Sequence, residues 1–265
     1  METTRTLQRA LRGVTAAVLV FVYVPIALIG LYAFNTNRVP TWPPSGFTLD
    51  WFGKAAQSSE IRSALLLSLE AAAGATIAAL VLGTLAAFAV QRYRFFGREV
   101  VSFLVILPIA LPGIVTGIAL ATAFTSFGIT FGLGTIVVAH ATFCVVTVYN
   151  NAIARLRRTA RNFEEASMDL GADTWQTFQF VTFPNLRTAL VAGGLLAFAL
   201  SFDEIIVTLL VAGAQETLPI WIFNNSIRPN QGPVVNVVAL LLLVLSAVPV
   251  YLANRISSDT TTIGP

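Results

Sequence analysis

The sequence has 265 residues, of which 56% are hydrophobic and 11% charged; a soluble domain typically carries about 25% charged residues. Charges this sparse cannot cover a globular surface facing water, so lipid is the solvent for most of the chain. A single cysteine, Cys144, excludes an intrachain disulfide framework. It and the one histidine, four positions away, supply no metal-ligand spacing.

A membrane-spanning helix needs roughly 20 mostly apolar residues. Val14 to Phe34 provides such a run without a charge. Its apolar core exceeds the roughly 7–15 residues of a secretory signal and ends in Phe34-Asn35-Thr36, so it is expected to remain a span. The second predicted span, about 64–90, contains only Glu70 as a charge. No Asp, Glu, Lys or Arg occurs from Val100 to Ala154, and the glycine-studded stretch 126–134 divides that run into spans at about 100–125 and 133–152. Pro108 and Pro112 are expected to kink the first of these. The fifth predicted span, about 188–213, carries Asp203 and Glu204, and the sixth, about 234–253, is uncharged. The fold class is therefore an all-α polytopic bundle of six helices, a single membrane domain over 1–265.

Basic residues orient the bundle. Of the 16 Lys and Arg, twelve (Arg5, Arg9, Arg12, Arg92, Arg94, Arg98, Arg155, Arg157, Arg158, Arg161, Arg187 and Arg255) fall on one side of this arrangement. Arg38, Lys54, Arg62 and Arg228 fall on the other. Both termini are thus expected to be cytoplasmic. Trp42 and Trp51 lie just past the outer end of the first span, as in an interfacial belt.

The longest cytoplasmic connection, about 155–186, is organised. After the basic cluster Arg155 to Arg161, Asn162 is a candidate N-cap, and Glu164 and Glu165 occupy a first turn, where the helix dipole favours anions. Gly171 fits a left-handed helix terminus. A second amphipathic stretch presents Trp175, Phe178 and Val181 before Pro184. Glu165-Ala166-Ser167, Gly171 and Val181-x-Phe183-Pro184 resemble the EAA loop of ABC importer permeases, EAA-x3-G-x9-I-x-LP, at every spacing. Ser167, Val181 and Phe183 depart from that pattern in residue type.

The resemblance extends to Tyr23-Val24-Pro25-Ile26, Phe34-Asn35, Phe95-Phe96-Gly97-Arg98, His140-Ala141-Thr142-Phe143-Cys144 and Ala199-Leu200-Ser201-Phe202-Asp203-Glu204. These segments are similar to the spermidine/putrescine branch of the family, and within it to the C-type permeases. The resemblance implies the MetI-like importer fold, with the loop seated as a coupling helix in a cytoplasmic ATPase. It implies as partners an ATPase dimer that holds ATP and Mg, a second and different permease chain, and an extracytoplasmic solute-binding protein. It implies polyamine cargo and residence in the bacterial inner membrane among lipid. No cofactor or nucleic acid is expected on this chain. It has no P-loop, and its only lysine, Lys54, lies outside the membrane in this topology, so no ATP hydrolysis or other enzymatic role is expected of it.

Charges at a helix centre cost about 2.5–3.5 kcal/mol each on insertion scales and usually face a cavity or a partner. Counting about 1.5 Å per residue, Glu70 and His140 lie roughly 9–10 Å below the outer surface, with Asp203 at a similar depth. Asp203, Glu204, Glu70 and His140 are therefore candidates for a cation path. Trp221, in the short outer stretch 217–223, is a further candidate. Adjacent helical positions diverge by about 100°, so Asp203 and Glu204 cannot both face one lumen. Glu70 and His140 also fit purely interhelical roles. Competing readings are an importer of another small solute, such as an organic cation, a phosphonate or iron, and a proton-coupled carrier. The carrier is disfavoured by the EAA spacing and by the lack of an internal repeat.

Overall fold

The computed structural model describes residues 5–228 and 231–259. Both chain ends, which the charge asymmetry assigns to one side, lie outside the described residues. Every regular element described is helical, apart from one antiparallel bridge between Asn35 and Phe47. Helices over Leu7–Ala33, Ser59–Arg92, Leu133–Arg158, Thr174–Phe202 and Gly232–Ile256 are each long and apolar enough to cross a membrane. A bent pair, Arg98–Ala110 with Gly113–Ser126, makes six if it is counted as one span.

The chain divides into two compact units. One comprises residues 1–62 and 221–243. Its α1 (Arg5–Ala33) has three arginines near its start, carries no charge from Gly13 onward and buries none of its most apolar window. After it, buried Asn35 accepts the indole N–H of Trp51 on its carbonyl at 2.7 Å. Trp51 belongs to the short helix α2 (Asp50–Gln57), whose Lys54 ammonium lies 4.0 Å above the Trp51 ring.

The other unit comprises residues 63–220 and 244–265. In α3 (Ser59–Arg92) the larger buried side chains are Ile61 and Val90, and most other buried positions are small: Ala64, Ser68, Ala71, Ala75, Ala79, Gly83 and Ala87. Their spacing of three and four residues lays them along one face. That face meets α6 (Leu133–Arg158) so closely that a Cβ at Gly83 would lie 2.9 Å from the Val145 carbonyl and 3.0 Å from Val148. Small residues allow this approach, which membrane helices use because lipid supplies no hydrophobic force between them.

The bent pair is α4 (Arg98–Ala110) and α5 (Gly113–Ser126), turned by 107° at Leu111-Pro112. Leu111 is extended, as the residue before proline is biased to be, and Pro112 offers no N–H to continue α4. The expected span at 100–125 is therefore not one straight rod. The Ser102 hydroxyl pairs with the Tyr149 hydroxyl at 2.7 Å, tying α4 to α6.

Three further short elements are α7 (Asn162–Asp169), α8 (Thr174–Thr177) and a π-helical turn (Phe178–Thr182) that runs into α9 (Phe183–Phe202). After a break at residues 203–205 the chain forms α10 (Ile206–Val211), then α11 (Leu218–Ser226) and α12 (Gly232–Asp259). The continuous helix beginning at Thr174 starts well before the expected fifth span at 188–213 and ends within it. At the break the Glu204 amide turns back to the Ser201 carbonyl, a tightened i−3 bond, and the Glu204 carboxylate accepts the Val207 N–H that opens α10. Of these elements, α6 packs most extensively on α9, and α5 on α10.

Candidate functional site

The first candidate site is the segment between α6 and α9. α7 begins at Asn162, so Arg161 and not Asn162 occupies its N-cap position. Its end is a Schellman motif. The Ala172 amide donates to the Ser167 carbonyl at 3.2 Å, and the Gly171 amide donates to Met168 at 2.9 Å. Gly171 has φ +92°, the left-handed conformation that a β-branched side chain resists. Asp173 then caps α8, accepting the Gln176 amide at 2.8 Å while the Gln176 side chain accepts the Asp173 amide. Ser167, where the loop pattern has alanine, reaches the Thr177 hydroxyl at 3.2 Å and so joins α7 to α8.

One buried ion pair clasps the segment to the span behind it. The Arg92 guanidinium, in the last turn of α3, donates to Glu164 Oε1 at 2.8 Å, and both side chains are almost covered. The Thr182 hydroxyl in the π turn donates to the same oxygen at 3.0 Å. Glu164 thus binds the end of α3, the first turn of α7 and the start of α9 at one point. Glu165 is exposed and, among the described residues, pairs with exposed Arg161 at 3.4 Å. Ala166, Phe183 and Pro184 are also exposed, and Val181 is half-buried. The segment therefore presents a polar and apolar outer face, with Leu170 and Trp175 largely uncovered.

The second candidate site is the polar level inside the bundle. His140 on α6 is fully buried, with Nδ1 2.7 Å from the Ser201 hydroxyl and Nε2 2.8 Å from the Thr208 hydroxyl. Both ring nitrogens are engaged, and the side chain joins α6 to α9 and α10 across the break. Thr135 adds a second tie, its hydroxyl 2.7 Å from the Val211 carbonyl. Glu204 lines a cavity of about 200 Å³ with Pro108, Leu111, Thr116, Phe143 and Leu200. Thr116 Oγ1 is buried without a hydrogen-bond partner. Asp203 is exposed and Glu204 half-buried, and both lie in the break at 203–205, so the helical spacing expected of them does not apply. Glu70 is exposed on α3, and its neighbour Ala71 packs with Ala139 and Val207, at the level of His140 and the break. Trp221 is buried in the other unit, its indole N–H without a partner.

Comparison with known proteins places this architecture. The family described as "Binding-protein-dependent transport system inner membrane component" matches residues 79–261. The chain belongs to that family. It is 36% identical over 232 residues to the putrescine transport system permease protein PotI of Escherichia coli (strain K12), covering 84% of this chain and 82% of PotI. It is 33% identical over 256 residues to the spermidine/putrescine transport system permease protein PotC of the same organism, covering 96% of each. A bacterial ABC transporter involved in the import of the acidic polysaccharide alginate contains a chain that superposes with TM-score 0.75 at 14% identity, covering 97% of this chain and 96% of that one.

This binding-protein-dependent inner membrane component is thus a multi-pass bacterial inner membrane permease with the ABC importer fold, and not an enzyme. ATP hydrolysis belongs to a separate ATPase subunit. Sequence reasoning singled out Glu165 in the coupling segment and passed over Glu164, Arg92 and Thr182. Glu164 was available only as a first-turn anion, and Arg92 lies 72 residues away, so no local pattern pairs them. Thr116 was missed because nothing in an apolar helix marks one threonine as unpartnered.

Proposed function

We propose that this chain forms the translocation path for polyamines in an ATP-driven importer. An extracytoplasmic solute-binding protein delivers the cargo, an ATPase dimer holding ATP and Mg drives transport, and a second, different permease chain completes the path. The observation that carries the cargo assignment is likeness to two polyamine permeases, one of them along 96% of both chains. Both termini are cytoplasmic in this reading, which the distribution of the 16 basic residues supports. The coupling surface is the outer face of the segment holding Glu165, Ala166, Ser167, Gly171, Val181, Phe183 and Pro184. Movement of the ATPase reaches the bundle through the clasp of Glu164 with Arg92 and Thr182.

Within the path, Asp203 is the residue that meets the cation, because its side chain is exposed while Glu204 caps α10. A carboxylate and an ammonium about 4 Å apart gain about 4 kcal/mol at an effective dielectric near 20, before desolvation is counted. The contact is therefore strong enough to select a polycation and weak enough to release it. The test is uptake of radiolabelled putrescine and spermidine by cells carrying the whole transporter, with membrane abundance measured in parallel. Asp203→Asn is expected to lower uptake severalfold at unchanged abundance. Gly171→Val is expected to abolish uptake with the ATPase bound poorly or not at all. Wild-type transport of neutral or anionic solutes only would refute the polyamine assignment. Wild-type uptake in Gly171→Val would refute the coupling assignment.

A further inference from the structure

A cavity at the coupling end of the bundle takes no part in the coupling surface or the substrate path. It encloses about 210 Å³ and is lined by Asn151, Arg155 and Arg158 of α6, Thr188 and Ala189 of α9, and Ile256 of α12. Asn151, Arg155 and Arg158 follow one another at four and three residues, so one face of α6 delivers all three. The Arg155 Nε donates to the Asn185 carbonyl at 2.8 Å, which fixes the guanidinium and leaves its terminal nitrogens to other acceptors. Arg158 is exposed and makes no ion pair among the described residues. Among the described residues no carboxylate lines the cavity. Two like charges thus line one cavity with no anion beside them among the described residues, an arrangement that a bound anion would stabilise.

The position in the chain identifies the anion. α6 carries no charged residue from its start to Ala154, and Arg155 is the first charge after that run. The cavity therefore lies where the hydrocarbon ends and headgroup phosphates begin. Of the rest of its wall, Asn151 and Thr188 are polar, as a headgroup requires, and Ala154, Ala189 and Ile256 are apolar, as the glycerol and upper acyl region of a lipid requires. A planar guanidinium matches phosphate oxygens in a two-pronged pair.

We propose that this cavity binds the headgroup of an anionic phospholipid. Arg155 and Arg158 donate to its phosphate oxygens, and the acyl chains leave along Ala189 and Ile256. The proposal is independent of the cargo.

The test uses the assembled importer in detergent, titrated with dioleoyl-phosphatidylglycerol and followed by native mass spectrometry. Arg155→Gln/Arg158→Gln is expected to bind about 25-fold more weakly, at about fivefold for each basic residue near an anionic surface. Arg157→Gln, one position away on a different face, is expected to bind within about twofold of wild type. If the double variant fails to assemble, Arg158→Gln alone carries the test, with about fivefold weaker binding expected. Unchanged phosphatidylglycerol affinity in the variant tested overturns the proposal. So does equal affinity for dioleoyl-phosphatidylcholine, or displacement of the lipid by millimolar inorganic phosphate, which would make the cavity a free-anion site. Loss of the ATPase subunits from the variant with lipid binding intact would assign the arginines to a protein contact and overturn it as well.

Discussion

Helices α1 and α6 look alike as apolar runs and differ completely in what surrounds them. In its most apolar window α1 buries 0% of its residues, whereas α6 buries 56% although it is the less apolar of the two. Apolarity measures affinity for lipid and says little about contact with protein. Inside a membrane, lipid tails serve an apolar side chain as well as another helix does, so contact follows small residues and hydrogen bonds. α6 has both: Thr135, His140 and Tyr149 bond to neighbouring elements, and α3 offers it a face of alanine and glycine. In α1, by contrast, large side chains such as Val18, Phe21 and Val22 are exposed.

The contrast can be broken or sharpened by substitution, with stability read from thermal or denaturant unfolding in mild detergent. Arg92→Met is expected to have the largest effect, about 3–5 kcal/mol, because it leaves Glu164 buried without its partner. Adding Glu164→Leu is expected to recover most of that loss; failure to recover it would show that the clasp does more than neutralise charge. Gly83→Leu is expected to cost about 1–3 kcal/mol by forcing α3 off α6. A wild-type unfolding curve for Gly83→Leu would mean that the close approach is not needed. His140→Phe, which removes the partner of the Ser201 hydroxyl and one of the two bonds of the Thr208 hydroxyl, is expected to cost about 1–2 kcal/mol. Val18→Ala and Phe21→Ala in α1 are expected to fall within about 0.5 kcal/mol of wild type. A larger loss at either position would place a protein neighbour on α1 and erase the distinction.

What could be read from the sequence divides along the same line. Charge-free runs mark the apolar helices because insertion into lipid is a property of each segment alone. The loop motif and the left-handed Gly171 were legible too, since a helix terminus is local chemistry. The bend at Leu111-Pro112 follows from a proline. The break at residues 203–205 has no proline or glycine to announce it. It is held by Glu204 capping the next helix and by His140 bridging from α6, contacts between positions up to 68 residues apart. The π turn at 178–182 was equally hidden, because its sequence has nothing that an α-helix would refuse. The expectation for Asp203 and Glu204 assumed a helix through both, whereas the chain breaks there and Glu204 lines a cavity.

The alanine face of α3 has a mechanical meaning. Long side chains between two helices can change rotamer and let the backbones slip, absorbing a push as local disorder. Between α3 and α6 the Gly83 position leaves backbone against backbone, with no Cβ there to rearrange. Such a contact is stiff, as close-packed interiors of low compressibility are. In the proposed coupling, α3 and α6 would therefore move as a single lever arm. The Arg92–Glu164 clasp is fixed at one end of it, and His140 sits partway along it, beside the break in the neighbouring helix. In that coupling, a force applied at the clasp would arrive at the break as displacement and would not be lost as slack on the way.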